Sequence, residues 1–141
     1  MKPTILFSLI AIVILQCKPA EKAVSTASLE NTYWKLVAMN GRPVVTPENA
    51  REVHIVLAKD GDKRMLKGFA GCNGIGGDYT VDGNKIGFTA ISTKMFCNDR
   101  MDVENFLLDV LTKADGYKIK GETLELYQGG SLLTTFQSVY L

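Results

Sequence analysis

The sequence lacks the residue patterns that several large classes of protein require. It has no run of like charges, and 16 Lys and Arg against 15 Asp and Glu leave a formal net charge of +1. A nucleic-acid partner is therefore not predicted, since such proteins carry a strongly basic surface. His54 is the only histidine, and no Cys-x-x-Cys pair is present, so neither a conventional His-dependent nucleophile nor a zinc site is supported. We predict no enzymatic activity, no catalytic residues, no metal and no cofactor.

The glycine-rich segment "GFAGCNGIGGDY", residues 68–79, also lacks the features of a phosphate-binding loop. A P-loop needs Lys and then Ser or Thr after its last glycine, whereas Gly77 and Asp78 occupy those positions. We interpret the segment as a sharp chain reversal in which the Asn73-Gly74 and Gly76-Gly77 pairs provide positive φ angles.

The longest apolar run, residues 5–15, is too short to span a membrane. Eleven helical residues reach about 16 Å, while a bilayer core is about 30 Å thick. The run follows a positive start, as in a secretory signal peptide. Cys17 comes directly after it and resembles the acylated cysteine of a bacterial lipoprotein, although Gln16 stands where a small residue is usual. Lipidation of Cys17 is our prediction, and cleavage by ordinary signal peptidase is the alternative.

The cysteine count agrees with lipidation. Three cysteines leave one unpaired in an oxidising compartment. If Cys17 carries the lipid, Cys72 and Cys97 remain as a pair. A disulfide between them would close a loop of about 26 residues, which is worth roughly 3 kcal/mol in the chain-entropy model.

Composition divides the chain into three parts. We assign residues 1–16 to a signal peptide and residues 17–30, which are rich in Ala, Ser, Lys and Glu, to a lipidated N-terminus and flexible tether. Residues 31–141 form the folded domain. It starts near the only tryptophan, Trp34, in a segment that alternates as a strand does.

The remaining pattern predicts a sheet with one helix. Strands are expected near residues 33–38, 51–58, 64–71, 77–81 and 85–90, followed by three strands after residue 116. Apolar residues recur at helical spacing over residues 99–114, with Asn98 or Asp99 as N-cap and Gly116 as the end. Short turns favour antiparallel pairing. We predict an α+β domain, mainly β, with a curved antiparallel sheet or partly open β-barrel covered by one helix.

Several motifs together resemble the META/HslJ-like domain family. They are "YWKL", "GFAGCNGIGGDYTVDGNKIGF", "STKMFC", "VENFLLDVL" and "YKIKGETLELY", which cover about residues 31–139. Gly71 and Asn73 match the family's Gly-Cys-Asn motif, Thr93 matches its Ser-Thr motif, and Glu104 matches the glutamate at its helix start. The resemblance implies a small barrel-like β domain in secreted or lipid-anchored bacterial envelope proteins. It brings no catalytic residues, and we assign Asn73 and Thr93 a structural role, bonding backbone around the cysteines.

The family resemblance also implies a setting. Such domains are linked to heat-shock and antibiotic-tolerance responses, and their fold is similar to that of secretin pilot lipoproteins. We therefore expect a non-enzymatic lipoprotein of the bacterial cell envelope, facing the periplasm or the exterior, that binds or stabilises an envelope protein. The alternatives are a carrier that holds a lipid or peptide between helix and sheet, and a pilot-like chaperone of an envelope protein. An apolar cavity beside the helix would favour the carrier, whereas an exposed apolar patch on a solid core would favour protein binding.

Overall fold

A computed structural model describes residues 26–140. This part of the chain forms nine strands and one helix, with the helix between the sixth and seventh strands. The elements are β1 Tyr33–Met39, β2 Arg42–Pro43, β3 His54–Asp60, β4 Lys63–Phe69, β5 Gly74–Asp82, β6 Lys85–Ser92, α1 Met101–Lys113, β7 Gly116–Lys120, β8 Thr123–Gln128 and β9 Ser131–Val139. No helix within these residues has the length and apolar character needed to cross a membrane.

All strand pairs are antiparallel, and the sheet closes on itself. The strand order is β2-β1-β3-β4-β5-β6-β7-β8-β9, and β1 also pairs with β9. The ring is weakest between β6 and β7, which share the single register pair Lys85 and Gly116. The predicted fold class, a curved antiparallel sheet with one helix, is confirmed. The ring is not a regular barrel.

Two-residue turns hold the hairpins. The first turn, Asn40-Gly41, has φ angles of 47° and 75°, as the type I′ turn between β1 and β2 requires. The two-residue strand β2 was not among the strands predicted from the sequence. The pairing Asp60–Lys63 and the pairing Asp82–Lys85 likewise enclose two residues each.

The core lies inside the ring and under α1. Alternate residues of the strands point inward, as period-2 patterning predicts. On α1, Leu107 and Leu111 are fully buried against the sheet. Fully burying a leucine side chain contributes roughly 1.5–3 kcal/mol, so these contacts hold the helix in place. The largest fully buried side chains are Trp34, Phe136, Leu36, Ile55, Leu57, Leu66, Leu107, Leu111, Leu124, Leu126, Val53 and Val110.

The ends of α1 differ from the prediction. The N-cap is Arg100, not Asn98 or Asp99, and no side chain caps the helix. The helix ends at Lys113, and Gly116 is already the first residue of β7. The helix ends there because the chain pairs with β8 at once: the backbone N–H of Asp115 donates to the carbonyl of Tyr127.

Residues 26–30, assigned above to the tether, pack on the domain instead. Ala27 is buried, and its N–H donates to the carbonyl of Gly121 at 2.8 Å. The indole N–H of Trp34 donates to the carbonyl of Leu29, and Glu30 pairs with cationic side chains of β3 and β4. The packed domain thus starts several residues before residue 31. Residues 1–25, including the predicted signal peptide and Cys17, lie outside the described residues.

The close approach of β5 to β6 explains why residue 77 is a glycine. Gly77 in β5 has a φ of 143°, and a Cβ there would overlap the carbonyl oxygen of Thr89 in β6. We expect Gly77→Ala to lower the free energy of unfolding by about 1–3 kcal/mol, because the new methyl group forces strain on two strands. Urea unfolding measures the loss.

The adjacent glycine is the matched control. A Cβ at Gly76 would have its nearest new neighbour at 3.8 Å, an ordinary contact. Gly76→Ala should leave stability unchanged or slightly higher. Equal losses in the two variants would contradict the explanation.

Candidate functional site

The residues singled out by sequence analysis meet at one end of the sheet. The structure joins Cys72 to Cys97 in a disulfide with Cα atoms 5.8 Å apart, which confirms the predicted bond. It links the segment before β5 to the segment before α1. Gly71 has a φ of 130°, and a Cβ there would lie 3.2 Å from the carbonyl oxygen of Arg100. Glycine thus permits the close approach of the chain just before the helix.

Asn73 is fully buried, and its side chain uses all its hydrogen-bonding capacity. Its Nδ2 donates to the carbonyl of Met95 at 2.9 Å and to Oε1 of Glu104 at 2.7 Å. Its Oδ1 accepts from the N–H of Met95 at 2.8 Å and from the hydroxyl of Thr93 at 2.9 Å. Asn73 therefore bonds the backbone of Met95, two residues before Cys97, as predicted. Thr93 was also predicted to bond backbone, but its hydroxyl donates to the side chain of Asn73 instead.

Glu104 completes this network, and sequence analysis did not foresee how. Its side chain is 2% exposed, and Oε2 accepts the backbone N–H groups of Cys72 at 3.2 Å and Asn73 at 2.7 Å. The family resemblance identified Glu104 only as the glutamate at the helix start. The signal was its spacing: three and seven residues before Leu107 and Leu111, it falls on the buried face of α1.

Outside this network lies an exposed apolar surface. Ile91, Met95 and Phe96 are 71%, 61% and 81% exposed, and we call these three residues the apolar ridge. Asn73 holds both backbone groups of Met95, and the disulfide holds the residue after Phe96. The ridge is therefore an exposed apolar segment with a fixed backbone. Exposed apolar patches of this kind mark interaction sites.

His54 does not take part in the network. It is buried at the start of β3, where its ring stacks on Tyr33 with centroids 4.2 Å apart and its Nδ1 lies 3.0 Å from the carbonyl oxygen of Glu52. Burial lowers the pKa of His54, while the Glu52 carbonyl opposes that shift. The sulfur of Cys72 is bonded to Cys97, so Cys72 is not a free thiol. No group of His, Cys, Asp and Glu that could hold a metal ion occurs among residues 26–140.

Leu107 and Leu111 fill the space between the helix and the sheet, and depressions of the surface open at its edge and beyond. One of about 340 Å³ lies beside the C-terminal end of α1 and is lined by Thr80, Val81, Asp82, Lys85, Ile86, Ala114 and Asp115. Another of about 600 Å³ opens at the weak seam between β6 and β7. Polar, charged and aromatic residues line it: Asn84, Lys85, Asp115, Gly116, Tyr117, Lys118, Tyr127 and Gly130. This is not the apolar cavity that a carrier of lipid would need.

Comparison with known proteins agrees with this geometry. The model of the META domain family matches residues 27–140, from the buried Ala27 to the end of β9. The chain belongs to the META domain family. No curated protein matches it.

Two solved structures share the fold of this META domain. An NMR structure of a protein from Burkholderia xenovorans is 24% identical, covers 88% of this chain and 98% of its own, and superposes with a TM-score of 0.64. A second NMR structure is 22% identical, covers 77% of this chain and 89% of its own, and has a TM-score of 0.59. At this level of identity the similarity shows the fold.

The carboxylate of Glu104 should be essential for stability. Glu104→Ala leaves the buried N–H groups of Cys72 and Asn73 without an acceptor, and each such group costs about 1–3 kcal/mol. We expect a loss of about 2–4 kcal/mol in urea unfolding. Asp102→Ala, in the same helical turn but exposed, should cost under about 1 kcal/mol. Equal losses would contradict the role of Glu104.

Burial of His54 should make the domain less stable in mild acid. Its pKa in the folded protein lies below the ordinary value of 6.5, so below about pH 6.5 the unfolded chain binds the proton first. The free energy of unfolding should fall as the pH drops from 6.5 through the lowered pKa. Urea unfolding at about pH 7 and about pH 5 measures this slope. His54→Gln should reduce it, and an unchanged slope would show that other groups cause it.

Proposed function

We propose that this META domain protein is a non-enzymatic lipoprotein of the bacterial cell envelope that binds an envelope protein through the apolar ridge. The observation that carries the proposal is the combination of exposure and order at Ile91, Met95 and Phe96. An interface whose backbone is already ordered loses less conformational entropy on binding. Leu107 and Leu111 fill the space beneath α1, and the depression beside the C-terminal end of the helix is lined in part by the charged residues Asp82, Lys85 and Asp115, which favours protein binding over the carriage of a lipid.

Two features support the location in the envelope. Cys72 and Cys97 bond to each other, which leaves Cys17 as the one cysteine available for acylation. Disulfides persist in oxidising compartments such as the bacterial periplasm. Binding to an envelope component under heat or antibiotic stress, as a stabiliser or a pilot-like chaperone, would agree with the family resemblance.

The topology separates the proposed anchor from the ridge. The N-terminal segment lies beside the last residues of β3, where the N–H of Asn31 donates to the carbonyl of Leu57. The first residue of β3, His54, pairs with Phe69, which in turn pairs with Gly74 near the disulfide. The ridge therefore lies toward the other end of the strands, where it can face a partner while the N-terminus approaches the membrane.

Site-specific photocrosslinking in cells tests the binding role. A photoreactive phenylalanine analogue in place of Phe96 should give a discrete adduct with one envelope protein. The same analogue in place of Val45 is the matched control, because Val45 is 82% exposed but lies in the segment between β2 and β3. No adduct at Phe96, or the same adduct from both positions, would overturn the proposed interface.

Mass analysis of the unreduced protein from the same membranes tests its location. We expect an acylated N-terminal Cys17 and a mass two hydrogens below that of the reduced chain. Cleavage at another residue without acylation would overturn the lipoprotein assignment. The crosslinking result would still report on the binding role.

A further inference from the structure

The apolar ridge lies among cationic side chains that have no carboxylate partner. Lys67 and Lys94 take part in none of the ion pairs formed between the described residues. The guanidinium of Arg51 lies 4.6 Å from the centre of the Phe69 ring, and Arg100 donates to the carbonyl of Arg51 at 2.8 Å. Elsewhere the domain does pair its charges: the carboxylate of Glu30 lies 3.4 Å from Nζ of Lys59 and 3.2 Å from Nε of Arg64.

Acidic groups also lie near these cations. Asp78 occupies the next outward position of β5 after Gly76, and Asp99 and Asp102 follow the disulfide toward α1. None of the three forms an ion pair within the described part of the chain. Four cationic groups, those of Arg51, Lys67, Lys94 and Arg100, therefore stand beside the ridge against these three carboxylates, and the excess of positive charge favours an acidic partner.

The strand register gives this surface its shape. Lys67, Gly76 and Ile91 are cross-strand neighbours on β4, β5 and β6, and Phe69 is paired with Gly74 one step along. Paired residues share a face, and Ile91 is exposed, so both glycines face outward. Gly74 and Gly76 thus form the floor of a groove. Lys67 and Phe69 form one wall, and the apolar ridge forms the other. We call this the ridge groove.

Neither glycine is required by the fold itself. Gly74 and Gly76 have no positive φ, and the nearest atoms to an added Cβ would be 3.9 Å and 3.8 Å away. Gly77, by contrast, has no room for a Cβ. The walls of the groove belong to strands two spacings apart, about 9–10 Å, which is wide enough for one extended chain.

We propose that the ridge groove binds an extended polypeptide segment in which acidic residues alternate with aliphatic or aromatic ones. The apolar side chains contact Phe69 and the ridge, the acidic ones pair with Lys67 and Lys94, and the glycine floor lets the bound backbone approach the sheet. This inference rests on the proposed function and names its partner's chemistry. A membrane is the weaker fit, because a flat lipid surface cannot reach a recessed floor and the N-terminal segment leaves from the other end of β3.

A displayed library of random twelve-residue peptides, selected against the full chain in phosphatidylcholine vesicles, tests the proposal. The selected peptides should be enriched in Asp and Glu interspersed with apolar residues. Lys67→Glu and Gly76→Val should each raise the Kd of a selected peptide by about tenfold or more, as expected for a residue at the centre of an interface. Gly76→Val should do so without lowering the melting temperature, because the floor has room for a side chain.

Two exposed positions provide matched controls. Lys63 lies on the same face of β4 as Lys67, and Thr80 lies on the same face of β5 as Gly76, each four residues away. Lys63→Glu and Thr80→Val should leave the Kd unchanged. Failure to select a peptide, selection of basic peptides, or equal effects of the controls would overturn the inference.

The remaining outcomes separate this inference from the proposed function. If the protein binds phosphatidylglycerol vesicles in a manner that Lys67→Glu weakens and Gly76→Val does not affect, the surface faces a membrane and the inference is overturned. If crosslinking at Phe96 succeeds while peptide binding ignores Lys67 and Gly76, the protein-binding role stands and the groove does not.

Discussion

The buried carboxylate of Glu104 determines the geometry of the disulfide end of the domain. It accepts the N–H groups of Cys72 and Asn73 and the side-chain amide of Asn73, and these contacts join α1 to the segment before β5. Removing a carboxylate from water is costly, so such a group adds less net stability than its bonds suggest. The carboxylate instead fixes the position of the segment before β5, because a displacement of about 1 Å would leave buried N–H donors without an acceptor.

Asn73 connects Glu104 to the backbone of the exposed loop. Its side chain is held by Glu104 on one side and holds both backbone groups of Met95 on the other. The disulfide fixes the same loop at Cys97. A loop with exposed apolar side chains would otherwise rearrange to bury them against the nearest apolar surface. Here the backbone cannot move that far, so Phe96 stays in solvent although nothing in the core requires it to be there.

The features that depend on neighbouring residues in the sequence could be predicted, whereas those that depend on long-range contacts could not. Asn40-Gly41 forms a turn through the φ preferences of its own two residues, and the cysteine count, with Cys17 assigned to the lipid, led to the pairing of Cys72 with Cys97. The pair Gly76-Gly77 was expected in a chain reversal but lies within β5. A cluster of glycines indicates a flexible backbone, but it does not indicate which neighbouring strands pack against it. The role of Glu104 was missed for a related reason: the N–H groups that donate to its carboxylate, those of Cys72 and Asn73, lie more than thirty residues away in sequence.

Two solved structures share this fold at 22% and 24% identity, so the fold itself tolerates wide changes in sequence. The exposed side chain of Phe96 contributes no packing to the domain and favours association with another surface. Single exposed apolar residues are common, but three within six positions, on a backbone held by a buried carboxylate and a disulfide, form a surface that binding would explain and folding does not.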